Sequence, residues 1–299
     1  MRVLVSLPDF ARLGAVQAAW HSAAEKCRVK LEPGSAAPVA AAYSVSAGGP
    51  TLLLLEVFRL GASPGPGGGS PGRERPELAI IVDDLGYDPA VARTVFSLPG
   101  RVSVAVLPNH ADSPAIAEEA HRRGIEVLLH LPMESVAGEE KAEKTELRVG
   151  EPAAEVSRVL DEMLATVPHA VGVNNHQGSK ATANGALMAA LAGAMRARGL
   201  FFIDSRTSGA SLALDAALRA GVPAAGRNVF LDDDEDPTAI RRQLERAERL
   251  AREQGWCVAI GHPHSATLGV LADALPEIEA RGVRLVSASE IVKSGGGAR

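Results

Sequence analysis

From about residue 77 onward the chain alternates two patterns. Short, nearly unbroken apolar runs fall at residues 78–82, 102–107, 125–129, 170–173, 200–203, 228–231, 257–260 and 283–286. Runs this short and this continuously apolar are what parallel strands buried on both faces require. Between them lie longer stretches with helical spacing. In residues 238–254, Ile240, Leu244, Ala247 and Ala251 fall on one face, while Glu245/Arg249 and Glu248/Arg252 form i,i+4 pairs on the other. Helix starts are marked by Asp88-Pro89 and Ser113-Pro114, a capping residue followed by proline at the first helical position. Repeated β-α units imply right-handed crossovers and a parallel sheet. About eight of them predict a closed or nearly closed (β/α) barrel of seven or eight parallel strands over residues 77–293.

The region before it reads differently. Residues 61–76 are dominated by Gly, Pro and Ser, then charges, the composition of a flexible linker. Residues 1–60 predict a small α+β domain, with strands at 3–7 and 52–58 and helical character at 13–27. No chemistry is recognisable there.

Composition narrows the function classes. Aromatics make up 3% of the 299 residues, so the core is aliphatic and base stacking has few platforms. The formal net charge is −5 with no basic stripe, which argues against a nucleic-acid partner. The two cysteines, Cys27 and Cys257, do not make a disulfide framework, and Cys257 sits in an apolar run that predicts a packed core thiol. The apolar run at residues 3–7 is stopped by Pro8 and Asp9, unlike a signal peptide, and the run at 52–55 is far too short to span a bilayer. The expectation is a soluble chain with no transmembrane segment, either cytoplasmic or with its export segment outside this sequence.

In β/α barrels the active site forms at the C-terminal ends of the strands. Five of the eight histidines, His110, His130, His176, His262 and His264, are expected just past a strand, together with Asp83-Asp84, Asn174-Asn175, Asp204-Ser205-Arg206 and Asp232. Imidazoles and carboxylates on one rim suit a metal-hydrolase site. Of the Asp83-Asp84 pair, one residue can bind a divalent metal and the other can act as general base, or both can simply cap the loop. His130 and His176 are candidate metal ligands. His262 and His264 are candidate acid/base groups. Asn174, Asn175 and Asp204 are candidates to orient ligands or hold substrate, and Arg206 to stabilise negative charge. The acidic run 232–236 lacks the spacing and glycine of a calcium loop and reads as a solvated loop and N-cap before Pro237, with Asp232 alone a possible rim contributor. No Walker loop, nucleophile elbow or dinucleotide fingerprint is present.

Several of these segments, in this order, resemble the divergent polysaccharide deacetylase family. They are Ile81-Val82-Asp83-Asp84-Leu85-Gly86-Tyr87, His130-Leu131-Pro132-Met133-Glu134, Gly172-Val173-Asn174-Asn175-His176-Gln177-Gly178-Ser179, Phe201-Phe202-Ile203-Asp204-Ser205-Arg206-Thr207 and Ile260-Gly261-His262-Pro263. The resemblance runs from about residue 77 to 292. It implies a barrel of the glycoside hydrolase/deacetylase superfamily and a divalent metal, zinc, held by an Asp and two His. It also implies a base at Asp83, the metal carboxylate at Asp84, an acid at His262, a polysaccharide or oligosaccharide substrate, and a place in the periplasm or cell envelope. Related deacetylases carry two histidines four positions apart in one motif, whereas Glu134 stands at that offset from His130. His176, on the adjacent strand, is the expected replacement, so the metal set becomes Asp84, His130 and His176. The arginine-proline motif after the fourth strand is absent. Three functions remain open on this reading: a carbohydrate deacetylase, a non-catalytic carbohydrate-binding or envelope protein on the same fold, and a metal hydrolase of another ester or amide.

Overall fold

The structure is a computed structural model. It describes the strands at residues 2–7, 30–34, 41–46 and 53–59, and residues 75–136 and 143–294. The chain divides into two compact units, Met1–Gly72 and Arg73–Arg299. In the first, β1 (Arg2–Leu7), β2 (Lys30–Gly34), β3 (Ala41–Ser46) and β4 (Leu53–Arg59) form one sheet in the order β1-β4-β3-β2. Strands β1 and β4 run parallel, and the other two pairings are antiparallel. The helix expected at 13–27, Cys27 and residues 61–74 of the expected linker lie outside the described residues.

The second unit carries β5 (Glu77–Leu85), β6 (Ser103–Val106), β7 (Glu126–Met133), β8 (Ala170–Gln177), β9 (Phe201–Asp204), β10 (Ala224–Gly226), β11 (Val229–Phe230), β12 (Trp256–Gly261) and β13 (Arg284–Val286). Each of the eight apolar runs overlaps one of these strands. The helices are α1 (Pro89–Val95), α2 (Ser113–Arg122), α3 (Ala153–Thr166), α4 (Gly185–Ala197), α5 (Ala213–Arg219), α6 (Pro237–Gln254), α7 (Ser265–Ala280) and α8 (Ala288–Lys293). Asp88 and Asp236 cap α1 and α6 through their side chains. Ser113 lies one position inside α2, and its hydroxyl donates to the Leu107 carbonyl at 2.6 Å instead of capping the helix.

The closed barrel expected from the strand count is not what forms. The sheet is an open, curled half-barrel of eight parallel strands in the order β10-β9-β8-β7-β6-β5-β12-β11, with β13 paired to the lower part of β5. Its edges lie 9 Å apart, about twice the spacing of hydrogen-bonded strands. The reason lies at residues 224–230. The edge strands β10 and β11 are consecutive in the chain, separated only by Arg227 and Asn228. The Arg227 N–H donates to Asp204 at one edge, and the Asn228 N–H donates to Val258 at the other, each at 2.9 Å. One short stretch of chain is therefore shared between the two edges, three residues on one side and two on the other. No continuous ladder joins them.

Two cores follow from the period of two along each strand. Leu78, Ile80, Val82, Val127, Leu129, Leu131, Phe202, Cys257 and Ala259 face the helices. Burial pushes the Cys257 thiol up to about 12, so it behaves as a core residue. Ala79, Ile81, Ala105, Leu128, Phe201, Ile203, Val258 and Ile260 fill the concave side together with Ala288, Ile291 and Val292 of α8. Helix α8 touches β5, β9, β10 and β12 and so plugs the lower end. A Cβ at Gly172 would lie 2.4 Å from the Phe201 ring, so glycine there is what lets this inward ring fit.

Candidate active site

The same period of two carries the chemistry. On β5, Ala79 and Ile81 face inward, and the next residue in phase is Asp83. On β7, Leu128 is followed by His130. On β8, Gly172 is followed by Asn174 and His176. On β12, Val258 and Ile260 are followed by His262, just past the strand. The concave face is thus apolar at the bottom and polar toward the C-terminal ends of the strands, where a cavity of about 540 Å³ opens. His130 and His176 stand inside their strands rather than beyond them, because β7 and β8 stay paired past the apolar runs as far as Met133 and Gln177.

Asp84 is out of phase with Asp83, and a regular strand would point it at the helices. Pairing of β5 with β6 slips between Val82 and Leu85, and Asp84 takes a left-handed φ of 57°. Such a bulge re-aims a side chain. It brings both carboxylates to His130, whose Nε2 lies 3.6 Å from Asp83 Oδ2 and 3.0 Å from Asp84 Oδ1.

Three atoms then close a triangle. Asp84 Oδ1 is 3.0 Å from His130 Nε2 and 3.1 Å from His176 Nδ1, and the two nitrogens are 3.1 Å apart. Asp84 Oδ1 is buried and has no hydrogen-bond partner, although both imidazoles stand near it. Ligand atoms on one divalent cation, each about 2.0–2.2 Å from it, sit roughly 3 Å from one another. A set of one carboxylate oxygen and two imidazole nitrogens suits zinc and similar metals, and three protein ligands leave a position for substrate or water. The residues present fit a divalent cation.

Asn174 sets the protonation around the triangle. Its Nδ2 donates to both oxygens of Asp83, at 2.8 and 3.0 Å, which leaves its Oδ1 facing His130 Nδ1 at 3.0 Å. His130 must donate from Nδ1, which leaves Nε2 as the atom turned toward Asp84 and His176. Burial pushes the Asp83 carboxyl up, against the pull of His130, His262 and the Asn174 amide. Burial also acts to raise the Asp84 carboxyl, but His130 and His176 outweigh it and hold that group well below the usual carboxylate range.

His262 stands across the cleft, its Nε2 3.8 Å from Asp84 Oδ2. Its Nδ1 meets Asp232 Oδ1 at 3.0 Å, and its backbone N–H donates to Asp232 Oδ2 at 2.6 Å. The Thr267 hydroxyl also donates to Oδ2, at 2.8 Å. Burial lowers the imidazolium's tendency to form, yet Asp232, Asp83 and Asp84 prevail and lift the His262 pKa to about 9. Asp232 thus acts through His262. Its place in an acidic run hid this role, and the signal lay in its position just past β11.

The remaining expected residues separate. Asn175 and Arg206 line the cavity. Asn175 accepts from the Ser205 N–H at 2.8 Å and fixes the adjoining rim. Asp204 is buried and spent on its own loop, accepting from Arg206 N, Ser211 Oγ and Leu214 N. It orients no histidine. His264 is exposed, with its Nε2 3.9 Å from Glu235. His110 lies apart, against Tyr87 and near Glu143. Glu134 binds Lys180 and the Val149 N–H, away from the triangle. Arg227 and Phe230 also line the cavity, and neither stood out in the sequence.

The family model described as "Divergent polysaccharide deacetylase" matches residues 80–292. The chain belongs to the divergent polysaccharide deacetylase family. Within it, the chain is 41% identical over 216 residues to the uncharacterized protein YibQ of Escherichia coli K12, spanning 72% of this chain and 67% of that protein. It is 39% identical over 199 residues to an uncharacterized protein of Haemophilus influenzae, spanning 67% and 71%. The crystal structure of the uncharacterized protein ATU2773 from Agrobacterium tumefaciens C58 shares the fold, with a TM-score of 0.70 and 24% identity over 75% of this chain and 92% of that one. Every residue of the triangle, Asp83, Asn174, Asp232 and His262 falls inside the family match. No helix among the described residues is long and apolar enough to cross a membrane.

Proposed function

We propose that the protein is a metal-dependent deacetylase that removes acetyl groups from a polysaccharide or oligosaccharide, with Asp84, His130 and His176 holding zinc. The observation that carries this reading is the convergence of those three side chains on a buried, otherwise unpartnered carboxylate oxygen, with a raised carboxyl on one side and a raised imidazole on the other. When bound, the cation supplies Lewis-acid polarisation of the acyl carbonyl and makes water more acidic. Asp83 takes the proton from the attacking water. Asn174 holds that carboxylate in place and keeps His130 in the tautomer that presents Nε2. His262 gives its Nε2 proton to the departing sugar nitrogen or oxygen as the acyl C–N or C–O bond breaks. Asp232 keeps the Nδ1 proton engaged and so turns Nε2 to the cleft. Acetate leaves, and proton exchange with solvent restores Asp83 and His262.

The test is acetate release from acetylated polysaccharides by the zinc-supplemented protein, in wild type and in Asp83→Asn. Release that falls by about 10²–10⁴-fold in the variant, with metal content unchanged, is the expected result. Full activity in Asp83→Asn would overturn the assignment of the base. Glycan binding with metal present and no acetate released would instead favour a carbohydrate-binding role.

A further inference from the structure

The cavity has a second charged wall that the reaction above does not use. Arg206 and Arg227 both line it, and among the described residues neither guanidinium forms an ion pair. Both are held by backbone and ring contacts instead. Arg227 Nε donates to the Ser205 carbonyl at 2.6 Å, and Nη2 donates to the Arg206 carbonyl at 3.0 Å. Its guanidinium lies 4.6 Å from the centre of the Phe230 ring, and that same ring meets His262 edge-on at 5.1 Å. Arg206 takes a left-handed φ of 49°, fixed by Asp204 Oδ1 on its N–H. Its side chain packs on Gly226, where a Cβ would fall 2.6 Å from Nε and 2.9 Å from Cζ. Two like charges are thus set near each other by strain, a glycine and carbonyl bonds. Burial and the neighbouring Arg206 also make the Arg227 charge less favourable than usual, with Asp233 the foremost carboxylate opposing that trend. Two guanidinium forks on one wall can take an anion through paired, charge-assisted hydrogen bonds.

We infer that Arg206 and Arg227 form a subsite for an oxyanion, a carboxylate or phosphate, carried by the glycan beside its acylated sugar, with the Phe230 ring supporting the Arg227 guanidinium. The inference rests on the carbohydrate reading of the cleft and adds to it that the polymer is acidic. Planar guanidinium forks read carboxylates and phosphates by paired hydrogen bonds, which lysine does not reproduce.

The test uses deacylated oligosaccharides, so that it does not depend on turnover. Binding to the metal-loaded full-length protein is measured by calorimetry for three chains of equal length: neutral, uronate-bearing and phosphate-bearing. At least one anionic chain should bind about tenfold or more tightly than the neutral one, as expected for charge-assisted hydrogen bonds. Which anionic chain wins identifies the oxyanion. That advantage should vanish in Arg206→Gln and Arg227→Gln, both checked for folding by circular dichroism, and should not be restored by Arg227→Lys. Equal binding of all three chains, an anionic advantage that survives both glutamine variants, or no binding of any chain would each overturn the inference. If acetate is released from neutral substrates while no anionic preference appears, the deacetylase reading stands and the subsite falls. If the preference appears without acetate release, the reverse holds.

Discussion

Two clusters of one aspartate and two histidines stand on the same rim, and they differ in what their oxygens are doing. In Asp84, His130 and His176, three ligand atoms converge and one carboxylate oxygen has no hydrogen-bond partner. In Asp232, His262 and His264, the carboxylate is saturated. One oxygen holds the His262 ring, the other accepts from a backbone N–H and a hydroxyl, and His264 is turned to solvent. Residue type alone does not separate a metal site from an acid held by its orienting carboxylate. The account of lone pairs does.

The largest effect should come from opening the triangle. Asp84→Asn or His176→Ala should abolish zinc binding and lower acetate release by about 10²–10³-fold or more, since both remove the main electrostatic element of the site. Zinc titration followed by calorimetry checks the first half.

Asp232→Asn should act differently. Zinc is kept, and turnover falls by roughly 10–100-fold, the scale of lost orienting partners. The alkaline limb of the pH–rate profile should also move to lower pH, because the carboxylate that favours the charged imidazole is gone. The same pairing has a sign in stability. The folded His262 pKa is raised, so the charged pair stabilises the metal-free protein fully below the unfolded value of about 6.5. That contribution is lost as pH rises through about 9. Melting temperatures of metal-free wild type and Asp232→Asn between pH 6 and 10 should converge at the alkaline end. Curves that stay parallel would contradict the pairing.

Asn174 links the two halves of the first cluster. Asn174→Ala should weaken zinc affinity by about 10–100-fold by freeing the His130 tautomer, with Asp83 losing its anchor at the same time. The smallest effect belongs to Thr267→Val, which removes one of the hydrogen bonds to Asp232. It should cost about 0.5–1.5 kcal/mol in a denaturant titration and leave metal affinity alone.

Much of this was legible in the chain, for reasons that can be named. Apolar runs marked strands because both faces of a parallel sheet are buried. The in-phase positions after them, Ile81 to Asp83, Leu128 to His130 and Ile260 to His262, pointed to one face. What the chain concealed was backbone geometry. Ala224-Ala225-Gly226 is too small and short to register as a strand, so the shared edge, and with it the failure of closure, went unseen. Asp84 reaches the site only through a bulge and a positive φ. Asp232 stood out of its acidic run only as a possible rim contributor, without the link to His262, and Asp204, which looked equally placed, is consumed by its own loop.

The central claim is that the cation site is the triangle and not the second cluster. Elemental analysis of protein purified without an affinity-metal step, comparing wild type, His176→Ala and Asp232→Asn, tests it most directly. The account predicts about one zinc-like metal per chain in wild type and in Asp232→Asn, and none in His176→Ala. Metal retained in His176→Ala and lost in Asp232→Asn would contradict it.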